Sequence, residues 1–124
     1  MSNLLLARNL TAGGAITAFR LVLFSAAETV IQSATSGGAV IGACGEVAPA
    51  SGERVDVTVA GIALVEAGAA VARGALVMSD GSGRAITAAA AAGVNVRIAG
   101  VAMEDAAAAG DLIRVLLSPG NFQG

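Results

Sequence analysis

Two stretches decide the fold: Gly42–Val59, GACGEVAPASGERVDVTV, and Gly100–Pro119, GVAMEDAAAAGDLIRVLLSP. They match at one fixed offset, the step from 42 to 100. It pairs Gly42 with Gly100, Glu46 with Glu104, Ala48 with Ala106, Gly52 with Gly110, Glu53 with Asp111, Val55 with Ile113 and Val57 with Val115. Each copy reads as a glycine corner, an Ala-rich connection, a Gly-Glu or Gly-Asp turn, and a strand with apolar residues at alternate positions. A shorter echo, ALVMSDG at 75–81 against RVLLSPG at 114–120, keeps the same rhythm. Two copies are too few to stack into an array, so the repeat predicts duplicated barrel geometry rather than a solenoid.

The flanking sequence extends this reading. Val55, Val57 and Val59 share one side of a strand; past Gly61 the apolar side is expected to move to Ile62 and Leu64. The same change is expected from Val94, Val96 and Ile98 to Val101 and Met103, past Gly100. A parity change at glycine predicts a β-bulge or barrel corner. Ser79–Gly83 reads as a hairpin loop between ALVM and RAIT, and Ser51-Gly52-Glu53, Ala72-Arg73-Gly74 and Ala109-Gly110-Asp111 each precede a strand. TVIQSATSGGAVIG at 29–42 reads as another hairpin with Ser36-Gly37-Gly38 at its tip. Residues 16–24 are apolar on both parities, as in a strand that is either central or covered by a partner. The runs Ala88–Ala92 and Ala106–Ala109 favour helix but are too short to nucleate it, so one helical turn is expected in each. The expectation is an all-β protein: a small curved β-barrel or sandwich with short helical turns, an extended N-terminal arm at 1–14 and a single β domain at 15–124.

Composition narrows the function. A chain of 124 residues buries a core without staples. It has no His, Lys, Trp or Tyr, and its one thiol is Cys44, read as a small buried hydrophobe. Ser-His-Asp and Cys-His sites, lysine Schiff bases, phosphate-loop lysines and Cys/His zinc sites are therefore excluded. The formal charge is −2, the arginines are dispersed and only Phe19, Phe24 and Phe122 are aromatic, which argues against nucleic acid. The mean hydropathy of +0.79 comes from Ala and Val spread along the chain. Its best apolar window, 15–27, is too short for a bilayer and carries Arg20, so no membrane span is expected. MSNLLLARNL lacks the basic start of a classical export signal, which predicts a soluble chain made in the cytoplasm.

Candidate sites resolve into turns. Asp80-Gly81-Ser82-Gly83 is followed by neither a helix-forming stretch nor Lys, as a phosphate cradle requires, and lacks the alternating oxygen ligands of a calcium loop. The carboxylates fall in turns and at outward strand positions, so the expectation is no enzyme, no cofactor and no metal. A core of small aliphatics stabilises modestly, by about 1.5 to 3 kcal/mol for each larger side chain. Burying further apolar area against neighbours then carries much of the gain, which points to an assembly protein.

At GERVDVTVAGIALVEAGAAVARGALVMSDGSGRAITA and IAGVAMEDAAAAGDLIRVLLSPG the chain resembles the capsid cement, or head decoration, proteins of tailed bacteriophages, from about Gly42 onward. The resemblance implies a compact β domain on the outside of the virion head, bound to the major capsid protein as a homotrimer and holding capsomers together. It carries no catalytic residues. For the first forty residues the candidate capsid or subunit contacts are Leu4, Leu5, Leu6 and Arg8, with Phe19 and Arg20. The leucines form either an arm that orders on the shell or an ordinary first strand. Arg20 is either an interface ion-pair donor or a guard on an edge strand. The competing class is a β-clip-like ligand-binding or accessory domain.

Overall fold

The computed structural model describes residues 4–123. Its nine strands are β1 (Leu4–Ala12), β2 (Leu21–Ala26), β3 (Thr29–Gln32), β4 (Gly42–Cys44), β5 (Arg54–Glu66), β6 (Leu76–Ser79), β7 (Ala85–Thr87), β8 (Asn95–Ala102) and β9 (Leu112–Gln123). They form one sheet in the order β1-β3-β2-β4-β5-β9-β8-β6-β7, with an added β1–β5 pairing. That pairing closes β1, β3, β2, β4 and the first part of β5 into a five-stranded barrel. A parallel bridge between Ala67 and Ala85 draws β7 back to the end of β5 and curls the remaining strands likewise.

The repeat is wider than the matching residues. In the first half Leu21 pairs with Ala43, and Ala43 with Thr58; in the second Leu76 pairs with Val101, and Val101 with Leu116. Thr11–Ala7 runs along Arg54–Thr58 as Glu66–Ile62 runs along Leu112–Leu116. The parallel pair Ala12–Val30 recurs as Ala67–Ala85. Two five-stranded units thus share β5, which serves the first unit as its last strand and the second as its first. The equivalences step by 55 early in each unit (Ala12 to Ala67) and by 58 later (Gly42 to Gly100).

The repeated Gly-Glu and Gly-Asp turns have a common construction. The Ala12 amide donates to the Glu53 carbonyl at 2.8 Å and its carbonyl accepts from Gly52 at 2.7 Å; Ala67 makes the same pair with Asp111 and Gly110. Gly52 and Gly110 hold φ of 87° and 97°, the left-handed region where a side chain would be strained. The acid in each copy accepts backbone hydrogen bonds: Glu53 from Ala50 at 2.7 Å, Asp111 from Ala107 at 2.8 Å. These carboxylates are turn locks.

Each half has its own core. Leu10, Ala12, Ile16, Val22, Val30, Cys44, Val55 and Val57 fill the first, while Val65, Val77, Ile113 and Val115 anchor the second. β2 is the wall between them: Val22 belongs to the first core and Leu21 to the second. This accounts for the two-sided apolarity around it.

Several expectations are corrected. No helical turn forms at Ala88–Ala92 or Ala106–Ala109. The former has no regular secondary structure before an Ala92-Gly93 turn, and the latter holds the Val71–Ala106 bridge and the Ala109-Gly110 turn. The strand expected over 16–24 begins only at Leu21, because Ala18-Phe19 is a turn. The hairpin expected at 29–42 is displaced: β3 turns back on β2 through Ala27-Glu28, and β2 separates β3 from β4. The pairing is irregular at both places, opposite Gly61 on β5 and between Ile98 and Gly100 on β8, where Ala99 and Ala102 both face the second core, but the apolar residues after each glycine do not take the core side. Ala63, Val65 and Ala102 are buried, leaving Ile62, Leu64, Val101 and Met103 on the outer face. Small Ala residues face inward where the curled sheet is tight.

The expected arm at 1–14 lies partly outside the described residues, at 1–3. From Leu4 on it is β1, paired along β5, and Leu10 and Ala12 belong to the first core. A boundary at 14 would cut through that core. Three turns expected to launch strands do so, into β5, β6 and β9, and the Ser79–Gly83 hairpin joins β6 to β7.

Candidate interaction surface

The outer face of the second half carries one cross-strand row, Leu76–Val101–Leu116–Ile62, spanning β6, β8, β9 and β5. Residues paired directly across antiparallel strands project from the same side, so these four form a continuous apolar ridge. Leu76 is 37% and Leu116 39% exposed. Leu64 and Met103 extend the apolar surface.

The equivalent row in the first half is Leu21–Ala43–Thr58–Ala7. Its composition is opposite. Leu21 and Ala43 are buried, at 0% and 1%, in the core of the second half. The other end of the row, Thr58 and Ala7, lines an open hollow of about 460 Å3 that reaches Ala43, walled by Phe19 and Leu64 and edged by Glu46 and Asp56. A row of bulky residues in one half corresponds to a row of small ones in the other.

Charge differs in the same way. Arg114 donates to Glu104 at 3.2 Å in the second half, and the equivalent positions in the first half are Asp56 and Glu46. Asp56 accepts from Asn9 at 2.9 Å, and no arginine pairs with either acid among the described residues. The hollow is therefore an acidic, Ala-lined depression.

Of the sequence candidates, Leu6 and Arg8 lie exposed on β1, with Arg8 bound to Glu28 at 3.0 Å. Of Leu4 and Leu5 the backbone alone is described, with Leu4 opposite Gly61. Phe19 is brought beside Ala7 of β1 in the hollow. Arg20 is turned inward: Nη1 donates to the Ser82 carbonyl at 2.9 Å and Nη2 reaches Glu66 at 3.3 Å, while its buried Nε meets no acceptor. Arg84 joins the same carboxylate of Glu66 at 3.7 Å and Asp80 at 3.3 Å. Arg20 thus ties the start of β2 to the β6–β7 hairpin, which neither sequence reading anticipated. Burial pushes the Cys44 thiol above its ordinary value, and Sγ donates to the Val47 carbonyl at 3.1 Å, so it is no activated nucleophile. Among the described residues, no group of three or more His, Cys, Asp or Glu is placed to hold a metal.

Phe19 carries a further signature. Its φ is 61°, and it occupies the place held in the second half by Gly74, at φ 87°. The flanking bonds match: Cys44 donates to the Arg20 carbonyl as Ala102 donates to that of Ala75. A left-handed conformation costs a residue with a Cβ about 1 to 2 kcal/mol. The ring is thus held in a strained position at the wall of the hollow. Phe19→Gly and Phe19→Ala both remove the ring, so their difference isolates the backbone. The glycine variant is expected to be the more stable by about 1 kcal/mol in urea denaturation. Equal midpoints would show that φ at 19 carries no strain.

The fold and this surface define a structural interaction protein: an all-β body with an apolar ridge and an acidic hollow. A family model described as phage cement protein matches residues 6–117. The chain belongs to the phage cement protein family and is a capsid-associated decoration protein of the virion. In fold it is similar to the head fiber gp8.5 N base of bacteriophage phi29, with a TM-score of 0.68 at 19% identity, over 91% of this chain and 93% of that one. No curated protein sequence matches the chain.

Proposed function

We propose that this chain binds the outer surface of an icosahedral head as a homotrimer, contacts the major capsid protein and holds neighbouring capsomers together, without catalysing a reaction. The observation that carries this reading is the cement-family match across residues 6–117, nearly the whole folded body. The phi29 head fiber base supports it through the shared fold. The capsid side is assigned to β1, where Leu6 is 51% exposed beside Arg8 at the end of the first barrel. Leu4 and Leu5 continue that strand. An exposed apolar residue next to a cation suits a shell surface that presents both apolar area and carboxylates.

The test is addition of purified chain to undecorated heads. Electron microscopy is expected to reveal new density at defined outer lattice positions, in groups of three, and decorated heads should retain their DNA at temperatures where bare heads release it. Leu6→Glu should weaken binding at least tenfold with unchanged circular dichroism. Heads that gain no density would overturn the reading.

A further inference from the structure

We propose that the ridge Leu76–Val101–Leu116–Ile62 of one copy seats in the hollow lined by Ala7, Thr58 and Phe19 of the next, so that the protein associates head to tail with itself. The inference deepens the trimer reading above and rests on it. Three observations carry it.

The first is internal precedent. Within one chain, the Leu21–Ala43 end of the first half's row is buried by the second half. The equivalent end of the second half's row is less covered, with Leu76 37% exposed and Val101 half-buried. A position that is an interface in one half stands open in the other.

The second is shape. The ridge presents Leu116 and Ile62, and at the same positions of the repeat the hollow is lined by the smaller Thr58 and Ala7. Exposed contiguous apolar surface of this kind marks a contact site. The third is charge: Glu46 and Asp56 edge the hollow without an arginine, while Arg114, bound to Glu104, stands on the ridge strand beside Leu116. Seating the ridge brings a guanidinium toward two carboxylates. Ridge and hollow are different patches that adjoin at Leu64, so the contact is heterologous, and a rotation that closes it produces a ring.

Size-exclusion chromatography with light scattering tests this on the full chain. The wild type is expected at three times the monomer mass. Leu116→Arg, or Leu76→Arg, breaks the ridge and Ala7→Trp, or Thr58→Phe, fills the hollow; each is expected to give monomer with unchanged circular dichroism. The decisive sample is an equimolar mixture of Leu116→Arg and Ala7→Trp. Each variant retains one intact surface, so the mixture should form dimers of twice the monomer mass that grow no further. A monomeric wild type, ridge variants that stay oligomeric, or a mixture that stays monomeric overturns the proposal, and so does self-association of Ala7→Trp alone, which is what ridge-on-ridge pairing predicts. Head binding is scored separately. Decoration by a chain lacking this contact sinks the inference alone, whereas rings that ignore heads sink only the cement reading.

Discussion

Gly100→Ala, and separately Gly42→Ala, is expected to destabilise the protein by about 3 to 5 kcal/mol, the scale reached when a core feature is broken outright. These are equivalent residues of the repeat, and each lies against its neighbour's backbone. A Cβ at Gly42 would overlap the Thr58 carbonyl oxygen and come within 2.9 Å of Val57 Cγ1. A Cβ at Gly100 would overlap the Leu116 carbonyl oxygen. Neither carbonyl can retreat: Thr58 is laddered to Ala43 on one side and Ala7 on the other, and Leu116 to Val101 and Ile62. Relief at either site therefore requires displacing a strand that holds two others. Against a total stability of order 5 to 15 kcal/mol, such a loss is a large share. The control is Gly45→Ala, where an added Cβ meets nothing within 4 Å. It should fall within about 0.5 kcal/mol of the wild type. Urea unfolding followed by circular dichroism measures all three, and a Gly100→Ala midpoint equal to that of Gly45→Ala would refute the close-approach account.

This pair of glycines also explains what could be read from the chain. The duplication was legible because its key residues obey local backbone demands: Gly42 and Gly100 admit no side chain, Gly52 and Gly110 need positive φ, and Glu53 and Asp111 lock their turns. The five-strand span of each unit was hidden because its early strands step by 55 rather than 58, and positions filled only for volume need not match. Thus Leu21 answers to Leu76, but Ala7 answers to Ile62 and Phe19 to Gly74. The false parity change at Gly61 arose from Ile62 and Leu64, whose greater hydrophobicity outvotes the inward Ala63. Ile62 belongs to the ridge instead. The helical preference of Ala88–Ala92 and Ala106–Ala109 lost to strand pairing and turns, a few tenths of a kcal/mol of propensity against tertiary hydrogen bonds. Of the site candidates, Phe19 was named from its apolarity alone. Nothing local foretold that Arg20 would turn inward to Ser82 and Glu66, because both partners lie more than forty residues away.

Leu21→Ala is expected to cost about 3 to 4 kcal/mol and to shift a single unfolding transition rather than split it. Leu21 is fully buried, and although its strand belongs to the first half its side chain fills the core of the second. Its backbone couples the halves as well, donating to the Gly83 carbonyl at 2.7 Å and accepting from Ser33 at 3.0 Å. Beside it, Arg20 and Gln32 both donate to the Ser82 carbonyl, at 2.9 and 2.8 Å. Truncating Leu21 therefore loosens the second core from a strand whose next residue, Val22, is packed in the first. With β5 also common to both units, neither half can open while the other stays closed. Leu10→Ala, confined to the first core, provides the comparison: it should lower the same transition by a similar amount. In scanning calorimetry both variants should keep a van't Hoff enthalpy equal to the calorimetric one. Two resolved transitions in either variant would mean that the halves are separable bodies joined by a strand, and that the wall formed by β2 does not unite their cores.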